Sequence, residues 1–134
     1  AMLVEIPHPR QIPGEGYRRW FADRYFDLIV WYAAPGGEVT GFQLCYDKPG
    51  SQRALTWKAS RGYRHERVDD GETPGGFKMS PVLVPDGVVD TESLVRRFRS
   101  AAERIDAQVR NLVLGRLESY GRAGGSAGRS AGRA

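Results

Sequence analysis

The feature that most constrains this chain is a pair of alternating apolar and polar runs on either side of the Pro-Gly-Gly segment at residues 35–37. A three-residue hairpin loop, with Pro35 at the first turn position and Gly37 left-handed, places Ala34 opposite Glu38. One face of the hairpin is then apolar throughout, and a one-residue slip would destroy it. This register pairs Leu28 with Leu44, Val30 with Phe42, Ile29 with Gln43 and Trp31 with Gly41.

The turn cluster at residues 48–53 extends this hairpin into a meander. Pairing Tyr46 with Leu55 continues the apolar face and brings Trp57 opposite Leu44. On the other face, the same register pairs Cys45 with Thr56 and Gln43 with Lys58.

The remaining strands are less regular. Residues 1–16 contain Pro7, Pro9 and Pro13, which predict an irregular lead-in that packs on the body of the protein. Residues 18–26 fit a strand-turn-strand unit or one helical turn equally well. Residues 77–84 contain Pro81 and therefore predict a strand at a sheet edge or a bulge.

The C-terminal part predicts one long amphipathic helix. Asp90 is a candidate N-cap, Glu92 lies in the first turn, and Gly121 supplies the C-terminal stop. Gly115 weakens the later turns. The apolar stripe at helical spacing consists of Leu94, Val95, Phe98, Ala101, Ala102, Ile105, Val109, Leu112, Val113, Leu117 and Tyr120.

We therefore predict an α+β fold in which an antiparallel meander of about five to six strands packs on one long C-terminal α-helix. Residues 17–121 form the single domain. Residues 122–134 contain only Gly, Ala, Ser and Arg, which predicts a disordered tail.

Composition limits the classes of function. The single cysteine, Cys45, permits no internal disulfide, and the chain shows neither a signal segment nor an apolar run of membrane-spanning length, which favours a cytoplasmic location. Three of the 20 basic residues, Arg122, Arg129 and Arg133, lie in the tail, leaving 17 against 16 acidic residues. This near-neutral body argues against nucleic-acid binding.

The clearest candidate site is the strand at residues 63–68, because its charged residues occupy both faces. A three-residue turn before it places His65 opposite Trp57, and a two-residue turn places Glu66 there. Ionisable groups held against aromatic rings are common in catalytic and binding sites. The alternative is an edge strand whose charges discourage aggregation.

We predict ligand-binding roles for the residues around this position and leave the catalytic residues unassigned. The predicted ligand-binding residues are Trp57, His65, Glu66, Arg67, Lys58 and Gln43. No metal site or cofactor is predicted, since the chain has two distant histidines and the acidic loop at residues 69–72 lacks EF-hand spacing. For Cys45, a packed side chain is favoured over a catalytic dyad with His65.

The length of the predicted helix suggests self-association. Thirty helical residues span about 45 Å, whereas strands of seven to nine residues span about 23–31 Å, so part of the helix would extend beyond the sheet. Its apolar residues Leu112, Val113, Leu114, Leu117 and Tyr120 would then be exposed unless a second copy covered them. Alternatively, the N-terminal segment covers them or the helix breaks at Gly115.

Three functional hypotheses follow. The first is a homodimeric binding or regulatory module with a cleft near Trp57 for a small molecule or peptide. The second is a small hydrolytic enzyme with His65 or Glu66 as general base and Arg67 or Lys58 stabilising an anion. The third is a structural subunit that associates through the C-terminal helix. The sequence does not decide whether the protein is an enzyme.

Overall fold

The computed structural model describes residues 2–69, 82–85 and 90–122. One antiparallel sheet has its seven strands in chain order, and two helices follow it. The strands are β1 (Val4–Ile6), β2 (Tyr17–Ala22), β3 (Asp27–Tyr32), β4 (Val39–Tyr46), β5 (Arg53–Lys58), β6 (Gly62–Asp69) and β7 (Val82–Pro85), and the helices are α1 (Thr91–Ala101) and α2 (Ala107–Tyr120). The α+β class and the antiparallel meander are confirmed.

The central hairpin has the register that the sequence predicts. Leu28 pairs with Leu44, Val30 with Phe42, Ile29 with Gln43 and Trp31 with Gly41. The register then shifts by one residue, so Tyr32 pairs with Val39. The left-handed residue is Gly36, at φ 76°, rather than Gly37. The Gly37 N–H donates to the Ala34 carbonyl at 2.8 Å, which makes Gly36 the third residue of a four-residue turn that needs a positive φ there.

The register between β4 and β5 is two residues away from the prediction. Leu44 pairs with Leu55 and Phe42 with Trp57. Because side chains alternate with a period of two, this even shift leaves every side chain on its predicted face. Between β5 and β6, Tyr63 stands opposite Trp57, a position that we predicted for His65 or Glu66.

The core lies between the sheet and the two helices. Five sheet residues, Leu28, Val30, Phe42, Leu44 and Leu55, are fully buried in one cluster with the apolar residues of both helices. At one end of the cluster, the rings of Phe26 and Phe98 meet edge to face at 5.5 Å. The predicted packing of the helical region on the apolar face of the sheet is therefore confirmed.

The prediction of a single C-terminal helix is wrong. The Asp90 cap forms as predicted, but α1 ends at Ala101 and α2 begins after a second N-cap, Asp106, whose carboxylate accepts from Gln108 N–H at 2.7 Å. This hydrogen bond is the main reason that the pKa of the Asp106 carboxyl group is lowered, and a hydrogen bond donated by Arg19 at 3.2 Å lowers it further. The stripe misled the prediction because the connecting residues Ala102 and Ile105 are themselves buried.

The break removes the overhang from which we predicted a dimer. Helices of 11 and 14 residues span about 16 and 21 Å, comparable with the strands. Val113 and Leu117 are fully buried and Leu114 is 9 % exposed, so this chain covers them itself. Within the described residues, no helix combines the length and apolar character that crossing a membrane requires.

The N-terminal lead-in contains one strand that the sequence did not predict. β1 pairs with β2, and Leu3 is buried and donates its N–H to the Ala101 carbonyl at 2.9 Å. For residues 18–26, the strand-turn-strand alternative is correct. Among the described strands, β7 pairs with β6 alone and lies at the sheet edge, as predicted for residues 77–84, of which residues 77–81 lie outside the described part of the chain. The acidic loop beyond Asp69 and the tail from residue 123 lie outside the described residues.

Candidate functional site

The six predicted ligand-binding residues lie on two different faces of the sheet. Trp57 and His65 face the helices. Arg67, two residues beyond His65 on the same strand, belongs to the same face of the sheet but is exposed to solvent. Gln43, Lys58 and Glu66 belong to the opposite face, which we call the outer face. The structure therefore does not bring all six residues to one site.

On the helix-covered face, Trp57 and His65 take part in packing. Trp57 is 7 % exposed, and the guanidinium carbon of Arg116 lies 4.1 Å from its ring centroid. The His65 Nε2 atom is hydrogen-bonded to the Tyr46 hydroxyl at 2.5 Å, and the Tyr120 ring lies 6.2 Å from the imidazole. The indole and the imidazole are thus enclosed between the sheet and α2.

A concave cleft of about 400 Å³ lies on the outer face, formed by residues of β3 to β6 and the turn before β6. Its lining includes three of the predicted residues together with several that the sequence did not single out. The lining residues are Trp31, Gln43, Thr56, Lys58, Arg61, Gly62, Tyr63, Arg64 and Glu66. We call this the outer-face cleft.

One wall of the outer-face cleft is built by Trp31 and Lys58, which meet across an intervening strand. Trp31 pairs with Gly41 and Gly41 pairs with Lys58, so the three residues form one cross-strand row. The Lys58 Nζ atom lies 4.6 Å from the Trp31 ring centroid, a cation–π distance. A Cβ atom on Gly41 would lie 2.5 Å from the Trp57 carbonyl oxygen, so this row requires glycine.

The next cross-strand row runs through Ile29, Gln43, Thr56 and Arg64, so it carries two uncharged polar side chains and one cation. The Gln43 side-chain amide donates to the Thr56 hydroxyl at 3.0 Å, and the Cys45 thiol lies 3.8 Å from the Gln43 carbonyl oxygen. Burial, and then the negative charge of Asp27, raise the pKa of the Cys45 thiol to about 11, so the thiol stays protonated near neutral pH. Cys45 and His65 occupy opposite faces and do not form a dyad.

Glu66 has an unusual environment. It is 7 % exposed, and its Oε2 atom lies 3.5 Å from Nε of Arg64, whose side chain is 69 % exposed. Its Oε1 atom is buried and has no hydrogen-bond partner among the described residues. Most buried polar groups in proteins are satisfied, so this oxygen requires an explanation.

The electrostatic character of the cleft is cationic. Lys58, Arg61 and Arg64 line it together with one carboxylate, that of Glu66. Within the described residues, the pair of Arg64 and Glu66 is the one ion pair among these four groups. The cleft can therefore attract an anion, whereas the Oε1 atom of Glu66 is shielded from solvent and so from a ligand in the cleft.

Sequence reasoning found Glu66 and Lys58 but missed Trp31 and Arg61. The available signal was the cross-strand row through Gly41, whose lack of a side chain lets Trp31 and Lys58 approach each other. The predicted register of β4 and β5 hid this row because it placed Gln43 opposite Lys58.

The described residues contain no group of three or more His, Cys, Asp or Glu side chains arranged to hold a metal ion. No protein-family model, curated protein or solved structure matches this chain. The geometry of the outer-face cleft is therefore the main indication of function.

Proposed function

We propose that the protein is a binding module that holds a small, anionic ligand in the outer-face cleft. The observation that carries this proposal is a cleft of about 400 Å³ lined by three exposed cations, Lys58, Arg61 and Arg64. The proposal keeps the binding module predicted from the sequence and moves its cleft from Trp57 to the opposite face of the sheet.

The energetic cost of Glu66 supports a binding role. A buried acceptor without a partner costs about 1–3 kcal/mol of folding free energy. Costs of this kind are retained at functional sites, where the surrounding structure offsets them. The volume of about 400 Å³ is within the usual range for small-molecule sites.

The charges of the cleft indicate the sign of the ligand. Lys58 and Arg61 have no acidic partner among the described residues, and both are exposed to solvent. A phosphate or carboxylate between them would form charge-assisted hydrogen bonds. Because these cations are exposed, we expect the affinity to fall as the salt concentration rises.

The test is a binding screen with defined anions, monitored by thermal shift and by calorimetry. The probes are inorganic phosphate, citrate, ribose 5-phosphate and nucleoside monophosphates. The double variant Lys58→Met/Arg61→Gln should weaken any binding at least tenfold. The control, Arg104→Gln, removes an exposed charge from the turn between the helices and should leave the affinity unchanged. If no anion binds, or if both variants weaken binding equally, the proposal is wrong.

A hydrolytic role is the second candidate, and the same cleft supports it. Of the four residues considered for catalysis, Glu66 and Lys58 line the outer-face cleft, whereas His65 and Arg67 do not. In this alternative, Glu66 is the general base and Lys58 stabilises the developing anion. Release of p-nitrophenol from p-nitrophenyl phosphate or acetate, abolished by Glu66→Gln, would favour the enzyme over the binding module.

Homodimer formation and a structural subunit role stay predictions, and the overhang that motivated them is not found in the described helices. Sedimentation velocity at high concentration measures the association state directly. The cytoplasmic location is likewise a prediction, from the single cysteine.

A further inference from the structure

We propose that the ligand of the outer-face cleft is a bis-anion, a small molecule with two separate anionic groups about 7 Å apart, the length of two residues of β-strand. Sugar bisphosphates and linear dicarboxylates belong to this class. This inference rests on the proposed binding function and adds the number and the spacing of the ligand's charges. It is supported by the placement of the three cations of the cleft at two positions along β6.

The first cationic position lies at the end of the cleft where β6 begins and combines Lys58 with Arg61. Lys58 pairs with Gly62, the first residue of β6, and the Arg61 N–H donates to the Lys58 carbonyl at 3.0 Å. This tight turn brings both exposed side chains to the same end of the cleft. The Trp31 ring centroid lies 4.6 Å from the Lys58 Nζ atom, a cation–π contact that holds the ammonium group at the cleft wall. An anion at this end can therefore interact with two cations.

The second cationic position is the guanidinium of Arg64 in the middle of the cleft. Arg64 lies two residues beyond Gly62 on β6 and pairs with Thr56, so its row is about 7 Å from the row of Lys58. Its ion pair with Glu66 is loose, since the nitrogen and oxygen are 3.5 Å apart and the arginine side chain is 69 % exposed. A guanidinium has five N–H donors, so one carboxylate leaves donors for a second anion.

Two separate positions of the same sign favour a ligand with two separate charges. The cleft is lined by three cations and by one carboxylate, that of Glu66, which leaves two positive charges uncompensated. A single phosphate reaches one position only, even when it is doubly charged, because the positions are about 7 Å apart. A bis-anion forms charge-assisted hydrogen bonds at both. The cleft volume of about 400 Å³ limits such a ligand to the size of a small molecule.

A series of linear alkane bisphosphonates measures the spacing directly. Its members differ only in the number of carbons between the phosphonate groups, and methylphosphonate supplies the single-anion reference. Calorimetry on the full chain should show affinity rising to a maximum at about four spacer carbons, where the extended molecule spans about two residues of strand, and falling beyond it. The best bisphosphonate should bind about tenfold tighter than methylphosphonate, the gain expected from one more charge-assisted contact. Fructose 1,6-bisphosphate and fructose 6-phosphate repeat the comparison on a sugar.

The decisive variant is Arg64→Gln, with Arg104→Gln as the control. Arg64→Gln should weaken the best bisphosphonate about tenfold, because it removes the second cationic position. It should leave methylphosphonate nearly unchanged, because a single anion prefers the two cations at the Lys58 end. Thermal unfolding of both variants shows whether the fold is retained, and the chain-length series tests the spacing without any substitution.

The outcomes separate this inference from the proposed function. If methylphosphonate binds as tightly as every bisphosphonate, the cleft holds one anion and the bis-anion inference is wrong, although the proposed function stands. If affinity does not depend on spacer length, the two positions are not read by the ligand and the inference is again wrong. A peptide with glutamates at alternate positions has the same spacing in an extended chain, and its binding tighter than every small molecule tested would also overturn the inference. If none of these anions binds, the proposed function fails as well.

Discussion

Replacement of Glu66 by methionine should stabilise this protein. Glu66 is 7 % exposed, its Oε1 atom is buried without a partner, and its one ion pair is with a largely exposed arginine. Methionine has a similar length and no polar atom. The substitution therefore removes a buried carboxylate without leaving a large cavity.

The size of the effect follows from two opposing terms. Removing an unsatisfied buried acceptor recovers about 1–3 kcal/mol. Losing the ion pair with Arg64 costs about 0–1 kcal/mol, because the two atoms are 3.5 Å apart and the arginine is 69 % exposed. We expect a net gain of about 1 kcal/mol in the free energy of unfolding, or about 4 °C in Tm for a domain of this size.

Urea unfolding at neutral pH, followed by tryptophan fluorescence, measures the change. The control is Glu103→Met, which replaces an exposed glutamate in the turn after α1 and should change stability by no more than about 0.5 kcal/mol. If Glu66→Met destabilises the protein by more than about 1 kcal/mol, the carboxylate is already satisfied in the folded chain. That result would show that the burial of Glu66 carries no net cost to the stability of the folded protein.

Two further predictions concern the fold. Gly41→Ala should destabilise the protein by about 2–3 kcal/mol in urea unfolding, because the added Cβ would lie 2.5 Å from the Trp57 carbonyl oxygen. Gly115→Ala should instead stabilise α2 by about 1 kcal/mol, because a Cβ atom at this position has nothing within 4 Å. Equal effects of the two would contradict the close approach at Gly41. Asp106→Ala should lower the free energy of unfolding by about 1–2 kcal/mol, and Asp106→Asn should lower it much less, because asparagine also caps helices. If thermal unfolding shows only a small effect of Asp106→Ala, the Asp106 cap does not stabilise the break between the two helices.

The pairing of the central hairpin was predictable from side-chain alternation, which fixes the buried face around Val30 and Phe42. Its loop was not predictable in the same way, because the glycine with a positive φ is Gly36 and the register shifts between Trp31 and Tyr32. For β4 and β5, the alternation fixed the faces but not the register. There the turn begins at Asp47, whose φ of 59° and bonds to Gly50 and Ser51 close it in a way that pattern alone does not reveal.

The helix break was hidden by the same stripe that located the helices. Ala102 and Ile105 are buried although they lie outside both helices, so burial periodicity continues through the connection. Asp106 was the available signal, because an aspartate inside an apolar stripe can cap a new helix. Its Arg19 partner lies 87 positions earlier in the chain, a distance that local pattern analysis does not reach.

The mixed charges of β6 identified the candidate site, and the structure gives a physical reason for them. A strand covered on one face alternates apolar and polar residues, whereas β6 places His65 under the helices and Glu66 in the outer-face cleft, and both are 7 % exposed. The imidazole is satisfied by Tyr46, but one oxygen of the carboxylate is not. The two groups therefore differ: hydrogen bonding within the chain accounts for His65, whereas Glu66 and the nearby Tyr63 hydroxyl each keep a buried polar atom without a hydrogen-bond partner among the described residues.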